Sequence, residues 1–155
     1  MVPSGFLPFK APPGAGDKLV IYPVYLCPVE VLERGLFSRP AYYRWIVAVN
    51  AFNRRLKLFE EEKIIICRDF ALASFDTQDM PVKIPPDTAA GLAEYGAVTD
   101  DFRSWRRLVR NRKIAVNFDD ILLVWHIYAV RGSEAIDTFT GEVAPAASLV
   151  DALFS

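Results

Sequence analysis

Seven apolar residues between Tyr42 and Phe59 constrain what this chain can fold into more than any other feature. Tyr42, Trp45, Ile46, Val49, Phe52, Leu56 and Phe59 recur at 3.6-residue spacing. On a helix they form one continuous stripe. Ser38 and Pro40 stand where a cap and a first-turn proline belong. A strand over 45–49 is the competing reading, because the β-branched residues there allow it. The stripe persists for about five turns, so a helix is preferred.

Around that helix the chain supplies strands. Residues 18–26 are rich in Val, Ile and Tyr and predict a first strand, with Pro23 marking an edge or a bend. Pro28 opens a predicted short helix over 28–37. Consecutive isoleucines over 63–67 predict a strand buried on both faces. The segment 76–88 reads as loop, and 88–95 as a short helix ending at Gly96. Thr99 then caps a helix running to about Arg112, with Asp100 and Asp101 in its first turn. Strands follow over 114–118, 121–130 and 135–139. The first two are joined at Asp119-Asp120, and a closing helix covers 146–154. Residues 1–16, with four prolines and three glycines, form a flexible arm. The expected fold is a single α+β domain over 17–155, a small, mostly antiparallel sheet packed against two main helices.

Composition narrows the class. At 155 residues and 52% hydrophobic, the chain can bury a core and is not of disordered type. No apolar run approaches the roughly 20 residues of a spanning helix, and no basic-then-apolar leader opens the sequence. Two distant cysteines, Cys27 and Cys67, fit a reducing, cytoplasmic setting rather than a disulfide framework. One histidine and two cysteines do not make a zinc set without carboxylates. No metal and no cofactor are expected.

Charge is unevenly spread. Six of the eleven residues in 103–113 are basic, in a chain of net charge −1. The last 42 residues carry about −5 and the rest about +4. On a helix Phe102, Trp105 and Val109 fall on a buried face, and Arg103, Arg106, Arg107 and Arg110 form a ridge beside it. With Arg112 and Lys113 they make a candidate anion-binding surface. The bland alternative is a solvated helix whose last turn is basic because the helix dipole favours it. The acidic C-terminal quarter also suits head-to-tail association of copies. Phe6, Leu7 and Phe9 in the arm are candidates for self-association, docking on a neighbour or on their own core.

Signals for catalysis are sparse. His126 stands alone among apolar strand residues, where a structural role is the ordinary one. Cys67 beside Arg68 is a candidate nucleophile only if its strand neighbours that of His126. No nucleophile elbow, phosphate loop or zinc-protease motif is present.

Three stretches carry a likeness to known proteins. They are the strand at 18–26, the run Gly35-Leu-Phe-Ser-Arg-Pro-Ala-Tyr-Tyr-Arg-Trp-Ile46, and Asp101-Phe-Arg103 opening a helix ahead of a strand pair. In this order of segments the chain resembles the core of rhabdovirus-type matrix proteins. It departs from them in lacking a lysine-rich N-terminal region and a PPxY-type motif. The resemblance implies a non-enzymatic assembly protein that binds itself and an acidic membrane or nucleocapsid RNA. The alternatives are an accessory protein whose partner is another protein, and an unfamiliar enzyme built on Cys67 and His126.

Overall fold

An 18-residue strand, β1 (Lys18–Gly35), organises the molecule. The computed structural model describes residues 2–35, 39–99 and 110–149. Along the chain β1 is followed by β2 (Ala41–Asn50), β3 (Leu56–Phe59), β4 (Asp76–Asp79), α1 (Pro86–Thr99), β5 (Arg110–Val116), β6 (Leu122–Arg131), β7 (Glu134–Asp137) and β8 (Val143–Pro145). These strands form one sheet of order β3-β2-β1-β6-β7-β8, with β4 and β5 also paired to β1. All pairings are antiparallel except β1 with β4.

Because β1 is so long, each of its edges serves two neighbours in turn. One edge pairs with β4 over Lys18–Ile21 and with β2 from Val24 to Glu33. The other pairs with β6 over Lys18–Leu26 and with β5 over Val29–Gly35. Pro23 and Pro28 sit in the two gaps between successive neighbours. A proline lacks the N–H a ladder needs, and these gaps are where a central strand tolerates its loss.

Burial follows the same division. Residues 19–27 are buried on both faces, and the continuous apolar run of that stretch is what such a strand requires. From Val29 onward only the odd residues are buried, while Glu30, Leu32 and Arg34 face solvent. The odd face receives α1, whose Ala89 and Ala93 are fully buried against Tyr25, Cys27, Val29 and Val31. Alanine at the contact lets the helix approach the sheet closely. Pro86 in the first turn and Asp87 beside it favour the helix start, and Tyr25 donates to the Ile84 carbonyl at 2.9 Å to fix the approach.

The expectation of two main helices on a small sheet is therefore overturned. Among the described residues the fold is mainly β, with one long helix. The stripe from Tyr42 to Phe59 is a hairpin, β2 and β3, and not a helix. Its turn is made by Asn50, whose Oδ1 accepts from the amides of Phe52 and Asn53, and by Arg54 in a left-handed conformation at φ 65°. Since 45–49 are all buried, the apolar positions have no two-residue alternation, and a helical period fits them by coincidence. Of the predicted helix over 28–37, residues 28–35 are instead the second half of β1, and 36–37 lie outside the described residues. The isoleucine run at 63–67 forms no strand beyond a single bridge at Cys67, and part of the expected loop is β4. Of the closing helix, residues 146–149 are helical and the rest lies outside the described residues.

The arm packs on the molecule's own sheet. Phe6 bridges Cys67 on one side and Trp125 of β6 on the other, and the Leu7 amide donates to the Trp125 carbonyl at 2.9 Å. Leu7 is buried, and Phe6 and Phe9 meet the ring of Phe70 edge-on. Asp17, itself buried, closes the segment. It accepts two bonds from the Arg131 guanidinium at 2.9 and 2.8 Å and one from the Gly14 amide. Those bonds from Arg131, acting against the opposing effect of burial, hold the Asp17 carboxyl below its ordinary value.

Candidate functional site

The sheet curls until its two ends meet. Phe59 lies on β3 at one end of the strand order, Phe139 follows β7 near the other, and their rings touch edge-to-face with centroids 5.4 Å apart. Inside the curl is a cleft of about 450 Å³, a volume typical of small-molecule sites. Its floor is one face of three adjacent strands: Tyr22 and Val24 of β1, Ala48 and Asn50 of β2, His126 and Tyr128 of β6. These share a face because strand side chains alternate and Tyr22 stands directly opposite His126. Leu56, Lys57 and Phe59 form one wall; Asp137, Phe139 and Leu149 form the other. Arg55 and Glu142 also line it, both from exposed positions.

At the centre His126 and Asp137 form a pair, Nε2 to Oδ1 at 2.7 Å, with both side chains 14% exposed. The same Oδ1 accepts from the amides of Phe139 and Thr140, at 2.9 and 3.2 Å. Burial works against ionisation of Asp137. The hydrogen bond and charge of His126, with the two amides, outweigh it and hold the carboxyl below its ordinary value. An ionised carboxylate only accepts, so the proton of this bond sits on Nε2, and in the neutral form of the ring the lone pair is then on Nδ1.

Two tyrosines stand beside the pair. The ring of Tyr128 is 4.6 Å from that of His126 and 5.5 Å from that of Tyr22. Burial raises both phenols, most for Tyr128, where Asp137 adds to the effect, while Arg55 opposes it at both. Both are therefore neutral donors. The Tyr22 hydroxyl is buried and has no hydrogen-bond partner among the described residues, although the residue lines the cleft. Such a group is costly to leave unsatisfied and calls for an explanation.

Of the candidate site residues singled out in the sequence, Leu7 and His126 line the cleft. Arg103, Arg106 and Arg107 lie outside the described residues. Arg110, Arg112 and Lys113 belong to strand β5 and not to a helix; Lys113 is exposed, opposite Leu32 of β1. Phe6, Leu7 and Phe9 pack on the protein's own core. Cys67 and His126 are not brought together: the arm's backbone runs between residue 67 and β6, and Cys67 does not line the cleft. Tyr22, Asp137 and Arg55 were missed. Asp137-Thr-Phe-Thr-Gly141 does carry a turn signal, an aspartate followed by glycine, but its partner is eleven residues away across a hairpin. Comparison with known proteins finds no matching family model, no similar curated protein and no similar solved structure.

Proposed function

We propose that this protein binds a small, largely apolar molecule bearing an oxygen acceptor within the curl of its sheet. The observation that carries this reading is the Tyr22 hydroxyl, buried and without a partner among the described residues, on a side chain that lines the cleft. A ligand oxygen satisfies that donor, and Val24, Phe59, Phe139 and Leu149 take the apolar body. Arg55 forms no ion pair among the described residues and tolerates partial negative charge on the ligand. Binding of this kind requires no bond to be made, in keeping with the non-enzymatic role expected from the sequence. The free thiols of Cys27 and Cys67 fit a reducing, cytoplasmic setting. The test is fluorescence titration with an anilinonaphthalene sulfonate, which joins an apolar body to an acceptor group. Tyr22→Phe is expected to weaken binding about 5-fold, the worth of one hydrogen bond. Equal affinity in both proteins removes Tyr22 from the account.

A second reading keeps the assembly role that the resemblance to matrix proteins implies. Leu32, Tyr42 and Lys113 stand opposite one another on three adjacent strands, all exposed, with Arg34 and Arg44 on the same open face. On this reading the face, together with the basic run 103–113, meets an acidic membrane, RNA or a second copy of the chain. Lys113→Glu with Arg34→Glu, and separately Arg106→Glu with Arg107→Glu, should abolish salt-sensitive binding to phosphatidylserine vesicles or RNA. Unchanged binding in both pairs sinks it.

A further inference from the structure

The cleft holds more than binding needs. An ionised carboxylate that fixes the tautomer of a histidine is the arrangement that makes an imidazole a directed base. Here Asp137 holds Nε2–H, and Nδ1 has no hydrogen-bond partner among the described residues. Directly across the β1–β6 ladder stands Tyr22, its Cβ at the spacing of opposed strand residues, about 5 Å, and its hydroxyl is without a hydrogen-bond partner among the described residues. A base and a neutral hydrogen-bond donor thus line one cleft from adjacent strands, beside the apolar Val24, Phe59, Phe139 and Leu149, whose low polarity strengthens both interactions.

We infer that this cleft catalyses proton transfer at carbon, with His126 as the base and Tyr22 as the donor to the oxygen of an enolisable, largely apolar ketone. The inference rests on the binding reading above. In a β,γ-unsaturated ketone, Nδ1 removes a proton from the carbon between carbonyl and alkene. That C–H electron pair becomes a new carbon–carbon double bond, and the carbonyl π electrons move onto oxygen, where Tyr22 O–H meets the growing charge. The imidazolium, its charge offset by Asp137, returns the proton to the γ carbon, and the carbonyl re-forms. The product is the conjugated isomer. Atoms and electrons balance with no oxidant, reductant or second substrate. Asp137 acts only through His126 and is a positioning residue.

The experiment uses the full chain with cyclohex-3-enone as substrate, following the ultraviolet absorbance of the conjugated product. Binding of 4-nitrophenol, a mimic of the enolate, is titrated in parallel. Saturable isomerisation is expected. His126→Ala should lower it by about 100-fold or more, with partial rescue by added imidazole and with 4-nitrophenol still bound. Tyr22→Phe removes one oxygen from a packed ring and serves where His126→Ala folds poorly; it should lower turnover by a similar factor. Asp137→Asn should lower kcat more than it raises KM. Nitrophenol binding without isomerisation overturns the inference and leaves the binding reading standing. Neither binding nor isomerisation overturns both. Isomerisation that survives His126→Ala and Tyr22→Phe undiminished also overturns it.

Discussion

Nε2 of His126 lies 2.7 Å from Oδ1 of Asp137, across the β6–β7 hairpin and diagonal to the directly opposed pair Tyr128–Asp137. The pair joins two neighbouring strands at the floor of the cleft and anchors the turn that brings Phe139 round to Phe59. Its contribution to stability follows from the depressed Asp137 value. The unfolded chain takes up a proton at the ordinary carboxylate pKa of about 3.9, and the folded chain does so only at lower pH. The stabilisation is thus complete above the ordinary range and disappears as pH falls through the folded value. Asp137→Asn should cost about 1–3 kcal/mol at pH 7, and clearly less in acid near pH 3, when urea unfolding is compared at the two pH values. An equal cost at both removes the charge from the explanation.

Tyr22→Phe should stabilise the ligand-free protein by about 1 kcal/mol, because it deletes a buried donor that has no partner among the described residues. A gain in stability coupled to a loss of ligand affinity is the mark of a group kept for function. Thermal unfolding with and without the anilinonaphthalene probe checks both halves. A clear loss of stability without ligand would show that the hydroxyl is already satisfied.

Cys27 and Cys67 should differ in reactivity. Cys27 is fully buried on β1, and burial pushes its thiol up to about 12. At pH 8 only about one molecule in ten thousand would hold it as thiolate. Cys67 is partly exposed. A colorimetric disulfide reagent should therefore titrate one thiol quickly in native protein and the second only after urea is added. Two fast thiols would contradict the burial of β1.

Gly5 should not accept a side chain. A Cβ there would lie 2.5 Å from the Ile66 Cγ2 and 2.7 Å from the Cys67 carbonyl oxygen, and the backbone oxygen has little room to yield. Gly5→Ala should lower stability by about 1–3 kcal/mol and lift the arm from β6. Limited proteolysis before Asp17 should then become much faster than in the unaltered chain. Unchanged cleavage would mean that the arm is not held as a strand.

Local chemistry was legible along the chain. The segment 88–95 announced α1, although Pro86 and Asp87, which open it, read as loop, and the segments at 18–26 and 121–130 read as strands. Pro23 and Pro28 were also visible, but their meaning was not. Each looks like a break in an element, and the structure shows that they mark where one edge of an unbroken strand changes partner. The stripe at 42–59 misled for a related reason. Residues buried on both faces lose the alternation that identifies a strand, and Asn50 and Asn53, which are turn residues, fell between apolar positions that still matched a helical period. His126 stands out in the sequence as the only histidine, but its partner is Asp137 and not Cys67, which the arm's backbone separates from it.

By itself, then, the sequence determined the strands at 18–26 and 121–130, a helix over 88–95, and that the chain holds enough apolar surface for a core. Those properties depend on near neighbours: propensity, alternation and capping act over a few residues. Which edge of β1 meets which strand, how far the sheet curls, and that Tyr22, His126 and Asp137 converge on one cleft were decided only by tertiary structure. Long-range pairing selects the register, and a strand's two-residue period turns that choice into the choice of which side chains face the cleft.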